Sequence, residues 1–337
     1  MRRFVKGVGV AVLVLLVLAA IGISATIGWR PFLGPKSRAL TGRKFETTPG
    51  RLKRGTYIAE HLAACIDCHT PFETMPGSSE NMLHKKASGQ IFPIPNFPGT
   101  LVAANITPDD ETGVGKWTDD ELARAIREGV DRQGHTLFPM MPYSRYRGMS
   151  DEDIASVVVY LRSLRAIRNP LPATVVNFPV KYLVRNAPEP VTGEVHPDMS
   201  TEISRGQYLV QVAACSDCHT PIKRGQPEHD LEFAGGRVFD EPTGKVASAN
   251  ITPDSATGIG SYTEETFVKA LRTGYVDRRQ LNLLMPWQFY NGLTDEDIKA
   301  MYAYLKTVKP VVHQVDNSKP PTACKKCGAV HGAGDAN

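Results

Sequence analysis

The longest apolar run comes first. From Val8 to Trp29 no charged residue occurs, and Val, Leu, Ala, Ile and Gly dominate. That meets the ~20 residues a helix needs to cross a bilayer core. Arg2, Arg3 and Lys6 precede the run, a charge placement that holds this end on the cytoplasmic side. Trp29 and Arg30 suit the far interface. A cleaved signal peptide has a shorter apolar region, roughly 7–15 residues, ending in an A-x-A site. No clean site of that kind is present, so residues 1–30 read as an uncleaved anchor. The expectation is a single pass through the inner (cytoplasmic) membrane, with the rest of the chain in the periplasm.

Downstream the apolar spacing becomes helical. Thr118, Asp119, Asp120 and Glu121 form a capping-box pattern, and behind it Leu122, Ala125, Ile126 and Val130 share one helical face. Ser150 is placed as the N-cap of a helix burying Ile154, Val157, Val158, Leu161 and Leu164. Thr294 stands in the same relation to Ile298, Met301, Tyr302, Leu305 and Val308. The similarity of these helices reflects an internal repeat. Arg54-Gly55-Thr56-Tyr57-Ile58 matches Arg205-Gly206-Gln207-Tyr208-Leu209, and Ala63–Pro71 matches Ala213–Pro221 as Ala-Ala-Cys-x-Asp-Cys-His-Thr-Pro. Gly89–Phe92 pairs with Gly236–Phe239, Ala104–Asp109 with Ala249–Asp254, and Thr112–Gly115 with Thr257–Gly260. Met141-Pro142-Tyr143 matches Met285-Pro286-Trp287, and Asp151–Ile154 matches Asp295–Ile298.

This order divides the chain into an anchor at 1–30, a first module at 46–168, a proline-rich linker at 169–200, a second module at 201–310 and a flexible tail at 311–337. The expected fold is all-α: two tandem helical domains of one kind behind one transmembrane helix. Between the Cys-containing motif and the Asn-Ile-Thr-Pro segment, Gly and Pro dominate, which predicts loops and a short strand pair. A module of this size has few apolar contacts unless something large sits at its centre.

Composition adds two constraints. The formal charge is +4, and Arg2, Arg3 and Lys6 account for three of those charges. The remainder is close to neutral and gives no reason to propose nucleic acid as a partner. The six cysteines form three C-x-x-C pairs, Cys65/Cys68, Cys215/Cys218 and Cys324/Cys327. A chain this long does not need a disulfide framework to fold.

The first two pairs are each followed by histidine, His69 and His219, which is the attachment pattern of covalent haem c. On a helix, positions i, i+3 and i+4 share a face. Two thiols can then reach the haem edge while the imidazole turns under the iron. Zinc and thioredoxin-like chemistry fit less well, because the pairs sit in separate repeats and no βαβ context surrounds them. Structural disulfides leave the twin histidines unexplained. The sixth iron ligand is commonly methionine in electron carriers. Met285 is the candidate in the second copy, since Met301 falls on a core-facing stripe. In the first copy the Met-Pro-Tyr/Met-Pro-Trp match selects Met141 over Met140. Two haem irons, each closed by His and Met, predict a wire rather than a catalyst. Asn105 with Thr107 and Asn250 with Thr252 either bond a haem propionate or form an Asx-type turn. Trp117/Tyr262 and Tyr143/Trp287 either serve the ring and its propionates or pack as ordinary core.

As a set, these motifs resemble the class I cytochrome c modules of the multihaem cytochrome c subunits of membrane-bound bacterial alcohol and aldehyde dehydrogenases. The resemblance spans both repeats. It implies haems that take electrons from a periplasmic dehydrogenase of quinoprotein, flavoprotein or molybdenum type, and pass them to an oxidase, another cytochrome or a quinone. One departure matters. The alcohol dehydrogenase subunits carry three haem modules, whereas Cys327 is followed by Gly328 and little chain remains. Two-haem relatives serving other periplasmic dehydrogenases fit better.

Cys324/Cys327 reads first as a local disulfide, with free thiols or a metal site with His331 as alternatives. The competing functional readings are a dihaem enzyme of peroxidase or thiosulfate oxidoreductase type, with one exchangeable haem ligand, and a structural anchor in which the haems are incidental.

Overall fold

The computed structural model describes residues 2–72, 82–241 and 244–337. The anchor is a single helix, Arg2–Ala25, and no part of its apolar span is buried against the rest of the protein. Beyond it, an arm returns to the first module. Asp120, fully buried, accepts hydrogen bonds from Arg38 Nη2 at 2.7 Å, Arg43 Nε at 2.7 Å and Thr41 N at 2.6 Å.

Each copy has a matched single-turn helix (Tyr143–Tyr146; Trp287–Tyr290) and the same four further helices. They are an opening helix (Pro49–Tyr57; Glu202–Val212), a motif helix (Cys65–His69; Cys215–His219), a capped helix (Asp119–Glu128; Glu264–Thr273) and a closing helix (Asp151–Ser163; Asp295–Leu305). The predicted capping box is present: Glu121 N donates to Thr118 Oγ1 at 3.2 Å, and Thr118 N donates to Glu121 Oε2 at 2.7 Å. Ser150 and Thr294 cap the closing helices, accepting from Asp153 N and Asp297 N. The predicted stripes face inward: Ile154, Val157, Val158 and Leu161 are buried, as are Ile298, Met301 and Leu305.

Opening and closing helices cross closely in both copies, which explains the glycine of the Arg-Gly-x-Tyr opening. A Cβ on Gly55 would lie 2.0 Å from Ser156 O, and one on Gly206 would lie 1.8 Å from Ala300 O. The first copy has one more residue between Tyr57 and Cys65 than the second has between Tyr208 and Cys215. One turn of π-helix, Ile58–Leu62, takes up the extra residue without moving the motif helix.

Two expectations need correction. The fold is mainly helical but not all-α, because five small antiparallel sheets lie among the described residues. Gln90–Phe92 pairs with Gly99–Ala103, and the linker adds Val175–Val176 to that edge; Val238–Glu241 pairs with Gly244–Ala247 in the second copy. Gly- and Pro-rich loops that must close over the motif helix satisfy their backbone groups by pairing locally. The tail at 311–337 also differs from a flexible segment. Pro321–Ala323 and Val330–Gly332 form a hairpin, and Cys324, Cys327 and His331 are buried. Its order comes from polar and sulfur groups, which a hydrophobic period does not register.

The two copies share one continuous core rather than forming separate globules. Around it they are tied by a reciprocal exchange. Tyr208 Oη donates to Asp153 Oδ2 at 2.5 Å and Tyr57 Oη donates to Asp297 Oδ2. The same two phenols accept from Ser150 N and Thr294 N, both at 3.2 Å. Gln211 Nε2 donates to Arg145 O at 3.0 Å, and His61 Nδ1 bonds Phe289 O at 3.0 Å.

Tyr208→Phe removes a hydrogen bond to a buried carboxylate, an interaction worth ~1.5–3 kcal/mol. Denaturant unfolding of the full chain should show a loss of that size. Gly206→Ala should cost ~1–3 kcal/mol by overpacking the helix crossing, and an unchanged midpoint would contradict the close approach.

Candidate functional site

Each motif helix begins from a left-handed alanine, Ala64 at φ 46° and Ala214 at φ 53°. This conformation is uncommon for a residue with a Cβ. Its recurrence marks the entry to the motif as a constrained turn, a feature that spacing alone does not reveal. On the helix that follows, both cysteines and the histidine of each pattern are brought together as the sequence predicts.

His69 Nδ1 bonds Ala104 O at 2.7 Å and His219 Nδ1 bonds Ala249 O at 2.7 Å. Because a carbonyl only accepts, Nδ1 carries the proton and Nε2 keeps its lone pair. Desolvation lowers both imidazole pKa values and holds the rings neutral, outweighing the carbonyl bond that favours the charged form. A neutral imidazole fixed through Nδ1 is the usual arrangement of a metal-ligating histidine. Gly89 N and Gly235 N, each donating at 2.7 Å to the backbone carbonyl of the histidine, complete the support.

The thiols fit covalent capture. Desolvation pushes Cys65, Cys68 and Cys215 up to about 12 and raises Cys218 as well, although the latter is partly accessible. A site that penalises thiolate this strongly accommodates a neutral thioether without that penalty.

Met141 and Met285 occupy matched turns, half-buried against the core cluster that Cys65 and Cys215 also border. Each carbonyl accepts from the residue after the following proline, Tyr143 N at 2.8 Å and Trp287 N at 2.7 Å. Met140 is the more exposed of the adjacent pair, at 38%. Tyr143 and Trp287 lie against the ends of the capped helices: a Cβ on Gly129 would be 2.6 Å from the Tyr143 ring, and one on Gly274 would be 2.4 Å from Trp287. Tyr143 Oη and Trp287 Nε1 are buried without a partner among the described residues. Unpaired buried donors at the same place in both copies are what an acidic haem substituent would satisfy. The cysteines and histidines present therefore fit covalent haem in both copies, Cys65, Cys68 and His69 in the first and Cys215, Cys218 and His219 in the second.

The asparagines have a different role. Asn105 Oδ1 accepts from Thr107 N at 3.0 Å and Thr107 Oγ1 at 2.7 Å, while Nδ2 donates to Thr112 Oγ1 at 3.0 Å and Ile167 O at 2.7 Å. Asn250 repeats this with Thr252, Thr257 and Val311 O. Both form Asx-type turns that staple the chain leaving the closing helix, and the amides have no capacity to spare for a propionate.

The two motifs are neighbours. Arg145 of the first copy bonds Asp217, inside the second motif, at 2.6 Å. Cys68, Asp67 and Cys218 lie near enough to disfavour one another's charge. Phe289 stands at the position matching Arg145, so Asp67 has no equivalent arginine, and desolvation pushes its carboxyl up to about 6. The repeat reveals each site but carries no signal for this proximity, because nothing in the linear order sets how two copies pack.

The cytochrome c family profile matches residues 203–309. A dihaem c-type cytochrome of Cereibacter sphaeroides is 30% identical over 227 residues, covering 63% of this chain and 73% of the relative. The cytochrome c subunit of a quinone-dependent alcohol dehydrogenase from Komagataeibacter europaeus is 28% identical over 294 residues, covering 81% of this chain and 60% of the relative. A fructose dehydrogenase cytochrome subunit from Gluconobacter japonicus is 30% identical over 273 residues, covering 76% of this chain and 52% of the relative. The chain thus spans between half and two thirds of the length of these dehydrogenase subunits. Covalent-haem motifs repeated on a helical scaffold define a c-type cytochrome, and the chain belongs to the cytochrome c family.

Asn250→Ala strips five hydrogen bonds from a buried staple. With ~1 kcal/mol net for each bond, unfolding free energy should fall by roughly 4–5 kcal/mol. The haem absorption spectrum should not move, and a shifted haem band would restore the propionate reading.

Proposed function

We propose that this protein is a membrane-anchored dihaem electron carrier. It takes electrons singly from a periplasmic dehydrogenase and delivers them to an oxidase, another cytochrome or a quinone of the respiratory chain. The observation that carries this reading is the paired site: two motif helices side by side, each with a neutral histidine whose Nε2 is free and a methionine on a matched turn. His69 with Met141 and His219 with Met285 would hold the haem iron without leaving a place for substrate, and a thioether ligand would raise its reduction potential. Haem supplies the one-electron chemistry. The chain supplies fixed ligands, a desolvated setting and a rigid separation.

Several features support the membrane placement. The Arg2–Ala25 helix has the length and composition to span a bilayer. At its foot Trp29, Phe32 and Leu33 are exposed, and the linker brings exposed Phe178, Tyr182 and Leu183 to the same end through Arg185 Nη1 to Pro31 O and Asn186 Nδ2 to Ile27 O, both at 2.9 Å. Aromatic and apolar side chains of this kind suit the headgroup region. The donor is a dehydrogenase by analogy with the relatives, whose names join cytochrome subunits to alcohol and fructose oxidation.

Protein purified from its own membranes should carry two haems per chain and, when reduced, bind carbon monoxide slowly or not at all. Rapid binding by the wild-type protein, or a resting high-spin haem, would identify an enzyme with an exchangeable ligand instead. Met141→Ala and Met285→Ala should each open one haem to carbon monoxide and lower its potential, while Met140→Ala should do neither. A co-purifying dehydrogenase should reduce both haems when given its substrate. Reduction that bypasses them would leave only the anchoring role.

A further inference from the structure

The third C-x-x-C pair lies apart from the haem sites in a compact cluster. His313, Cys324, Cys327 and His331 are all buried, and their ligand atoms lie within 4.8 Å of one another. His313 Nε2 is 3.2 Å from Cys324 Sγ, and His331 Nε2 is 3.5 Å from Cys327 Sγ. For a tetrahedral zinc with Zn–S near 2.3 Å and Zn–N near 2.0 Å, neighbouring ligand atoms stand ~3.3–3.8 Å apart. Both imidazoles are set for ligation: His313 Nδ1 bonds Ala234 O at 2.9 Å and His331 Nδ1 bonds Gly332 O at 3.0 Å. Each Nδ1 must donate, so each Nε2 faces the sulfurs as a lone pair.

The repeat supplies an independent argument. His313 stands where the first copy has Asn169. The backbone N of each donates to the matched threonine, Thr112 or Thr257, and each side chain bonds the carbonyl just before Gly89 or Gly235, which the structure pairs in place of the Gly89 and Gly236 that the sequence aligns. An amide performs that staple in the first copy. Histidine performs it in the second and adds a further nitrogen aimed at Cys324. A disulfide would use neither imidazole, and it would leave two buried acceptors facing a sulfur pair with no hydrogen to offer.

We propose that these four side chains bind a structural zinc ion. Two thiols give up their protons and two neutral imidazoles complete the shell, so the site is electrically neutral and can be buried. The loop Cys324–Cys327 presents both sulfurs from one turn. Cys327 N lies 3.5 Å from Cys324 Sγ and Asn337 Nδ2 lies 3.4 Å from it, so that each N–H can donate to the sulfur. The apolar cluster around the site is small, with Leu231, Ala234 and Val311 beside the two cysteines. A metal supplies the folding free energy that so few apolar contacts cannot. The ion would join the tail to the loop carrying Ala234 and Gly235, the segment that backs His219.

The test is metal analysis of the full chain purified from its own membranes without added metal, together with zinc-edge X-ray absorption and intact mass. One zinc per chain with two sulfur and two nitrogen neighbours is expected, and it should survive dialysis against EDTA. His313→Asn keeps the staple as the first copy has it, so the protein should fold and retain its haems while zinc falls below a tenth of an equivalent after the same dialysis. Wild-type protein without zinc would overturn the proposal, whether its two thiols are alkylated freely or the chain is two hydrogens lighter as a disulfide. Full zinc retention in His313→Asn would overturn the ligand set.

Discussion

Asp153 is nearly buried at the start of a closing helix and answers to both copies at once. Arg54 of its own copy reaches it through Nε and Nη2, each at 2.7 Å, and Tyr208 of the other copy donates at 2.5 Å. Asp297 mirrors it, with Arg205 Nη2 at 2.6 Å and Tyr57 from the first copy. Losing a hydrogen bond to a buried carboxylate costs ~1.5–3 kcal/mol. Separating the copies would do this twice. The reciprocal pairing therefore makes two modules one body, and the neighbouring motifs inherit their fixed relation from it. The proposed two-haem carrier would need that constancy, since transfer between its centres depends on a distance that must not drift.

Much of this was legible in the sequence. The capping box at Thr118, the caps at Ser150 and Thr294 and the stripes behind them all follow from local spacing, which backbone geometry dictates directly. The repeat gave the haem motifs and matched Met141 with Met285. The interlock was invisible, although its residues recur in both copies. Tyr57 and Asp153 read as an opening-helix aromatic and a first-turn acid, and each would satisfy a one-module account. Their crossed partners arise from docking, which has no sequence period. The asparagines show another limit. A polar residue beside a proposed cofactor invites a cofactor role, yet Asn105 and Asn250 spend every hydrogen bond on their own loops.

The short strand pair that the Gly- and Pro-rich loops predict is present in both copies, although its bounds are not legible. The first copy closes its loop as Gln90–Phe92 against Gly99–Ala103, and the second as Val238–Glu241 against Gly244–Ala247. These runs are too short for alternation to stand out. They exist because a loop passing over a buried motif helix must still pair its amides and carbonyls.

Those two hairpins expose the main asymmetry of the molecule. In the first copy the outer edge is covered by Val175–Val176 from the linker, and the linker is in turn bonded to the foot of the anchor helix. In the second copy the matching strand meets the tail, through Asn317 bonding both Ala247 N at 2.9 Å and Ala247 O at 3.0 Å, and through packing of Val330–Gly332 against it. One edge is thus covered by chain already tied at both ends, to the closing helix and to the anchor. The other is covered by a short hairpin with few apolar side chains of its own. A cover of the second kind needs a local cross-link that the first does not, and the change from Asn169 to His313 falls at the residue where such a link would start.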